Sequence, residues 1–190
     1  METPDTHDLA EADGDPFKTH CALLVSGLAL ILAVNNLGGA NTGKDAMMNN
    51  ILASNTYSFF QAKSIRQTDY KLAVDRLEIQ LANDKPSGQA KELMEAKLAA
   101  YKKNVERYES EPETGEGKKE LMAKAKHLEE ERDLALRKDP WFDYAEGLLQ
   151  LAIVLTSVAI ISSRRAMFYA AIVLGCVGTA CTLNGYFLFY

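Results

Sequence analysis

The chain is short of the residues that usually staple or catalyse. It has three cysteines in 190 residues, Cys21, Cys176 and Cys181, and no CxxC pair. All three lie inside apolar blocks, which excludes a disulfide framework or a zinc-ligand spacing and reads as small packing residues. The three histidines, His7, His20 and His127, share no ligand spacing and face no carboxylate in the sequence pattern. Residues 1–16 contain no Lys or Arg but carry Glu2, Asp5, Asp8, Glu11, Asp13 and Asp15. Of 26 acids and 21 bases in the chain, removing those six leaves 20 acids, so the remainder is nearly neutral. A basic footprint for nucleic acid is absent. The acidic tail, poor in apolar residues, reads as solvated and disordered.

What is present is strongly segregated. Hydrophobic residues make up 47% and charged residues 25%, and the mean hydropathy of -0.16 averages two opposite kinds of sequence. Apolar blocks occupy 21–37, 144–162 and 166–190, and the charges lie almost entirely between them. At 1.5 Å per helical residue even the shortest block extends roughly 26 Å, near the lower limit for a bilayer core. The first is preceded by an acidic flank and closed by Asn35-Asn36 without a small-residue cleavage site, so it reads as a retained helix. Ser163-Arg164-Arg165 is all that separates the other two, which marks a tight hairpin. Trp141, Phe142 and Tyr144 precede the second block, and Tyr186, Phe187, Phe189 and Tyr190 close the third, where amphipathic rings prefer the membrane interface.

About 105 residues separate the first and second blocks and are rich in Ala, Glu, Lys, Leu and Gln, all strong helix formers. Asn83-Asp84-Lys85-Pro86-Ser87-Gly88 is a turn signal. Before it, Tyr70, Val74, Leu77 and Leu81 recur at coiled-coil spacing; after it, Met94, Leu98, Tyr101, Val105 and Tyr108 do the same. Leu77 with Met94, Val74 with Leu98, and Tyr70 with Tyr101 have residue numbers totalling 171 or 172, the near-constant total that two antiparallel helices require. One helical hairpin therefore accounts for both seams. Glu111-Pro112-Glu113-Thr114-Gly115-Glu116-Gly117 interrupts the return arm. It is either a bulge that absorbs a surplus of about ten residues or a turn into a separate arm. Leu121, Ala125, Leu128 and Ala135 resume the pattern one step out of phase. Lys71 with Asp75, Lys91 with Glu95, and Lys102 with Glu106 are opposite charges one helical turn apart, expected on exposed faces.

The expected fold is all-α: a tail over 1–16, spans over 17–37, 144–162 and 166–190, and an extramembrane helical hairpin over 38–143. Ile65, Leu72 and Ile79 form a second apolar stripe that one partner arm cannot cover, which points to self-association. Ala171, Gly175 and Thr179 form a small-residue run that lets helix backbones approach. The stretch 47–60, with Ile51, Leu52, Tyr57, Phe59 and Phe60, lacks dense charge and is expected to be buried by the return arm or by a neighbour.

Gly38-Gly39-Ala40-Asn41-Thr42-Gly43-Lys44 has the spacing of a phosphate loop, but Asp45 stands where a Ser or Thr should bind magnesium, and an apolar helix precedes it instead of a strand. The glycines read as a flexible joint where the chain leaves the bilayer. Glu146 and Gln150, one turn apart near the start of the second span, and Asn184 in the third, are the polar groups a pore or proton path would use. Asn35, Asn36 and Asn184 also suit helix ends or interhelical hydrogen bonds. Arg164-Arg165 in the shortest loop orients that loop to the cytoplasm and the hairpin to the opposite side, while Lys44, Arg137 and Lys138 oppose this.

Asp15-Pro16-Phe17, the run from Tyr57 through Phe59-Phe60-Gln61-Ala62-Lys63-Ser64-Ile65 to Gln67, Glu130-Glu131-Arg132-Asp133-Leu134-Ala135-Leu136-Arg137, and the run from Phe142 through Ala145-Glu146-Gly147 to Leu155 carry a likeness over nearly the whole chain from residue 15. They resemble DUF4337, a bacterial membrane-protein family of unknown function. The resemblance implies three spans with a helical insert and brings no catalytic residues with it. The stretch 111–117 departs from the family pattern, which is continuous helix there. The expected role is a non-enzymatic, self-associating scaffold or adaptor of the bacterial inner membrane, without cofactor or metal, in contact with membrane lipid and further copies of itself. The alternative is a channel or transporter component.

Overall fold

The computed structural model describes residues 16–189; the acidic tail and Tyr190 lie outside the described residues. Among these residues the chain is all-helical, with four helices and no strand: α1 Pro16–Asp84, α2 Gln89–Glu109, α3 Lys118–Ser162 and α4 Arg165–Phe187. α1 starts on a proline, whose missing N–H falls among the donors a first turn cannot satisfy anyway. It stops where Lys85 takes a positive φ of 40°, followed by Pro86 and then Gly88 at φ 59°. Gly88 caps α2, its carbonyl accepting from Lys91 N at 3.1 Å and Glu92 N at 3.3 Å. Ser163, at φ 52°, turns α3 into α4.

The helices group into two compact units, one of residues 16–45 with 134–189, the other Ala46–Asp133. In the first unit, Leu28, Leu149 and Ala152 form the buried centre, with Leu24, Ile31, Leu32, Ile153 and Leu174 against them. Small residues dominate the rest of its inside: Ala145, Ala159, Ala171, Gly175 and Gly178 are buried. Other large aliphatics of the same helices point outward. Leu30 is 68% exposed, Val154 57% and Val173 62%, one from each helical segment. Three helices, α1, α3 and α4, are long and apolar enough to cross a bilayer, with windows of mean hydropathy 1.9, 1.8 and 1.9.

In the second unit, α2 and the start of α3 run antiparallel to α1. The inward positions of α1 are Ala53, Thr56, Phe60, Lys63, Gln67, Tyr70, Val74, Leu77 and Leu81, alternately three and four residues apart. The Tyr70 ring lies 5.5 Å from that of Tyr101, and Gln67 Nε2 donates to the Val105 carbonyl at 2.9 Å. These pairs total 171 and 172. Past residue 117 the totals rise: Gln67 with Lys118 gives 185, Tyr57 with Glu129 gives 186 and Asn50 with Arg132 gives 182. The return path thus gains between about 10 and 15 residues across 110–117, then continues beside α1.

The glycines at 38, 39 and 43 do not make a joint. α1 is helical through all of them. The reason is packing: a Cβ on Gly38 would sit 2.5 Å from the Phe142 ring, so the missing side chain admits the ring and the helix need not break.

Candidate functional site

Two polar clusters stand out, one in each unit. In the first, Asn35 is 1% exposed. Its Nδ2 donates to the Phe142 carbonyl at 2.9 Å and its Oδ1 accepts from the Thr182 hydroxyl at 3.0 Å. One buried amide thus joins segments from α1, α3 and α4, and its desolvation is offset by bonds on both ends. Phe142 fills the hole left by Gly38, Gly39 and Gly185, where added Cβ atoms would meet its side chain at 2.5, 3.2 and 2.9 Å. Tyr186 stands edge-on to it at 5.1 Å and donates its hydroxyl to the Val34 carbonyl at 2.9 Å. Beside this layer is a cleft of about 340 Å³ with Asn35, Asn36, Asp139, Asp143 and Glu146 on its walls. Gln150 donates to Glu146 at 2.9 Å. Asn184 is buried and is not a wall of the cleft. The structure therefore brings Glu146 and Gln150 together. Among the described residues no three His, Cys, Asp or Glu side chains gather closely enough to hold a metal ion.

In the second unit the polar cluster surrounds 110–117. Lys63, 8% exposed, meets Glu116 at 3.1 Å, with its ammonium 5.2 Å from the Phe59 ring centre and 5.4 Å from that of Tyr108. Gln67, 2% exposed, donates to both the Val105 carbonyl and Glu109 at 2.9 Å and accepts from Lys118 at 2.9 Å. The segment itself is built. Glu120 accepts from Ser110 Oγ at 2.5 Å and Glu111 N at 3.1 Å, and Gly115 has φ 69°. A Cβ on Gly117 would lie 2.3 Å from Glu111 N, so only glycine fits. The Gln67 hydrogen bond and then Lys118 hold the Glu109 carboxyl below its ordinary range; the Ser110 hydrogen bond does the same for Glu120. Tyr57, donating to Glu129 at 3.0 Å, is raised chiefly by that bond.

Of the expected seam, Val74 and Tyr108 are buried, and Tyr70, Leu77, Leu81, Met94, Leu98, Tyr101 and Val105 are half-buried. Ile65, Leu72 and Ile79 are exposed, at 64, 49 and 60%. Ala171 and Gly175 are buried, and a Cβ on Gly175 would lie 2.6 Å from Leu28, so the chain's own first helix covers Gly175. Thr179 is half-buried and donates to the Gly175 carbonyl at 2.7 Å. Lys91 pairs with Glu95 at 3.7 Å, whereas Lys102 reaches across to Glu78 at 2.7 Å. His127 has a carboxylate after all, Glu131 at 3.4 Å, one turn along. Within 47–60, Ala53 and Thr56 are buried and Tyr57 and Phe60 half-buried, while Met47, Met48, Ile51, Leu52 and Phe59 are exposed on the single chain.

Sequence reasoning missed Lys63 and Gln67 because it sought apolar residues only. The signal was there, since extending the Tyr70 seam backward in steps of three and four lands on both. Neither a curated protein nor a solved structure matches the chain. A family model described as a domain of unknown function, DUF4337, matches residues 17–188, and the chain belongs to that family.

Proposed function

We propose that the protein is a non-enzymatic integral membrane scaffold or adaptor of the bacterial inner membrane. Segments 17–37, 144–162 and 166–190 cross the bilayer, and 38–143 forms an antiparallel coiled-coil hairpin outside it, through which copies associate. The observation that carries this reading is the first unit, in which small residues pack closely around Leu28 and Leu149 while all three helical segments also turn large aliphatics outward. Water would penalise that surface and hydrocarbon would not. Arg164 and Arg165, in the shortest connection, orient it to the cytoplasm and the hairpin to the periplasm. The test is alkaline extraction of membranes, followed by labelling of Ser87→Cys with a membrane-impermeant maleimide in intact cells. Retention in the membrane and labelling are expected. Release by alkali overturns the spans, and labelling only after lysis overturns the orientation.

A channel or transporter component is the second reading, favoured by the cleft with Asp139, Asp143 and Glu146 on its walls. Ion flux into liposomes carrying the protein decides it. Flux abolished by Glu146→Ala supports a pore; no flux from the unaltered protein removes the reading.

A further inference from the structure

The uncovered part of α1 nearest the first unit has an unusual composition. From 46 to 62 there is no Asp, Glu, Lys or Arg, a run of 17 residues, whereas 63–84 is densely charged. Within it Met48, Leu52, Asn55, Phe59 and Ala62 are exposed and recur four, three, four and three residues apart, a second seam away from the one that meets α3. Met48 is 49% exposed, Leu52 42% and Phe59 40%. Lipid is a poor occupant for this face. Tyr57 bonds Glu129, and Arg132 reaches Asn50 at 3.4 Å, so α3 runs alongside at this level, and there it exposes Glu130, Glu131 and Asp133.

We propose that Met48, Leu52, Asn55, Phe59 and Ala62 form the surface on which a second copy of this chain docks, α1 against α1 in parallel. Parallel pairing rests on the membrane reading above, which puts both copies of α1 in one bilayer with the same orientation. In a twofold parallel pair each residue near the axis faces its own counterpart, so any charge there would meet itself. A face without charges is self-complementary. Asn55, in the middle of the seam, can bond its own copy, as an isolated Asn in a parallel dimer seam does. The stripe of Ile65, Leu72 and Ile79 fails the same criterion, because Asp69, Asp75 and Arg76 flank it.

The test uses the full chain in its own membrane, with the natural cysteines replaced by alanine. Asn55→Cys should form a disulfide-linked dimer on mild oxidation, several-fold more than Leu72→Cys or Ile79→Cys. Asn55→Lys, a change at an exposed position, should weaken dimerisation by about tenfold in native mass spectrometry while the helical circular dichroism signal is unchanged. A membrane-retained protein that stays monomeric, or an Asn55→Lys variant that dimerises undiminished, overturns this interface and leaves the membrane reading standing. Release of the unaltered chain by alkali overturns both.

Discussion

The two units solve opposite packing problems with the same helix. In the first, α1 contributes Cys21, Leu28 and Asn35 to the inside, and its outer face carries further large aliphatics such as Leu23, Leu30 and Leu37. In the second, the same helix contributes Lys63 and Gln67 to the inside, and its outer face beyond residue 62 is charged. The buried polar groups of the first unit are uncharged, and Asn35 among them joins helix to helix; in the second, Lys63 and Gln67 meet charged partners around a break in the return path. The contrast teaches that amphipathic periodicity alone does not say which side of a helix faces inward. Side-chain size sets how near the backbones come.

The sharpest way to break the comparison is Phe142→Ala. It empties the hole among Gly38, Gly39 and Gly185, and should destabilise the first unit by about 3–5 kcal/mol in thermal or denaturant unfolding of the purified protein in detergent. A change below about 1 kcal/mol would mean that the ring is not a core element. Next in size is Val154→Lys, on the outward face of the first unit. If lipid surrounds it, membrane insertion should become less favourable by roughly 2.5–3.5 kcal/mol, read as the inserted fraction in a translocation assay. Gln67→Leu tests the polar inside of the second unit. It keeps the volume but strips partners from the Val105 carbonyl, Glu109 and Lys118, and should destabilise by about 1–3 kcal/mol, seen as faster amide exchange over 89–109.

Acid should act on the second unit in a defined direction. Glu109 and Glu120 have folded-state carboxyl values below their unfolded ones. The stabilisation they contribute is complete above the ordinary carboxylate range of about 4.3 and is lost as pH falls through the lowered values. Exchange protection over 110–121 should therefore fall below that range, and Glu109→Gln should flatten the pH dependence. Tyr57 acts oppositely: its raised value stabilises below about pH 10 and that contribution is lost as pH rises further. The smallest effect belongs to Ile79→Lys, the counterpart of Val154→Lys on an exposed face of the second unit, expected within about 0.5 kcal/mol of the unaltered protein if water surrounds it. A large loss there would show that the stripe is covered after all.

Much of this was legible beforehand. The apolar blocks, the turn at Pro86 and the pairing of Tyr70 with Tyr101 follow from composition, spacing and a near-constant sum of residue numbers. Asn35 was legible as an interhelical group but not its partners, since hydrogen bonds to the Phe142 carbonyl and Thr182 join residues 107 and 147 positions away. Gly38 and Gly39 were misread as a joint because glycine weakens an isolated helix, whereas here the absent Cβ admits a ring. The chemistry of Glu146 was legible as a carboxylate near the start of an apolar segment; the cleft it shares with Asp139 and Asp143 was not.

Local patterning by itself determined that the chain is helical, where three long apolar segments lie, and where it doubles back, because periodicity, turn residues and segment length act over a few neighbouring positions. Tertiary structure alone decided that 110–117 leaves and rejoins the same helical partner, that Lys63 and Gln67 face inward, and that Leu28 covers Gly175 while Met48, Leu52 and Phe59 stay exposed. Those outcomes depend on which distant surfaces meet, and a surface is closed only when another one fits its shape and satisfies its charges.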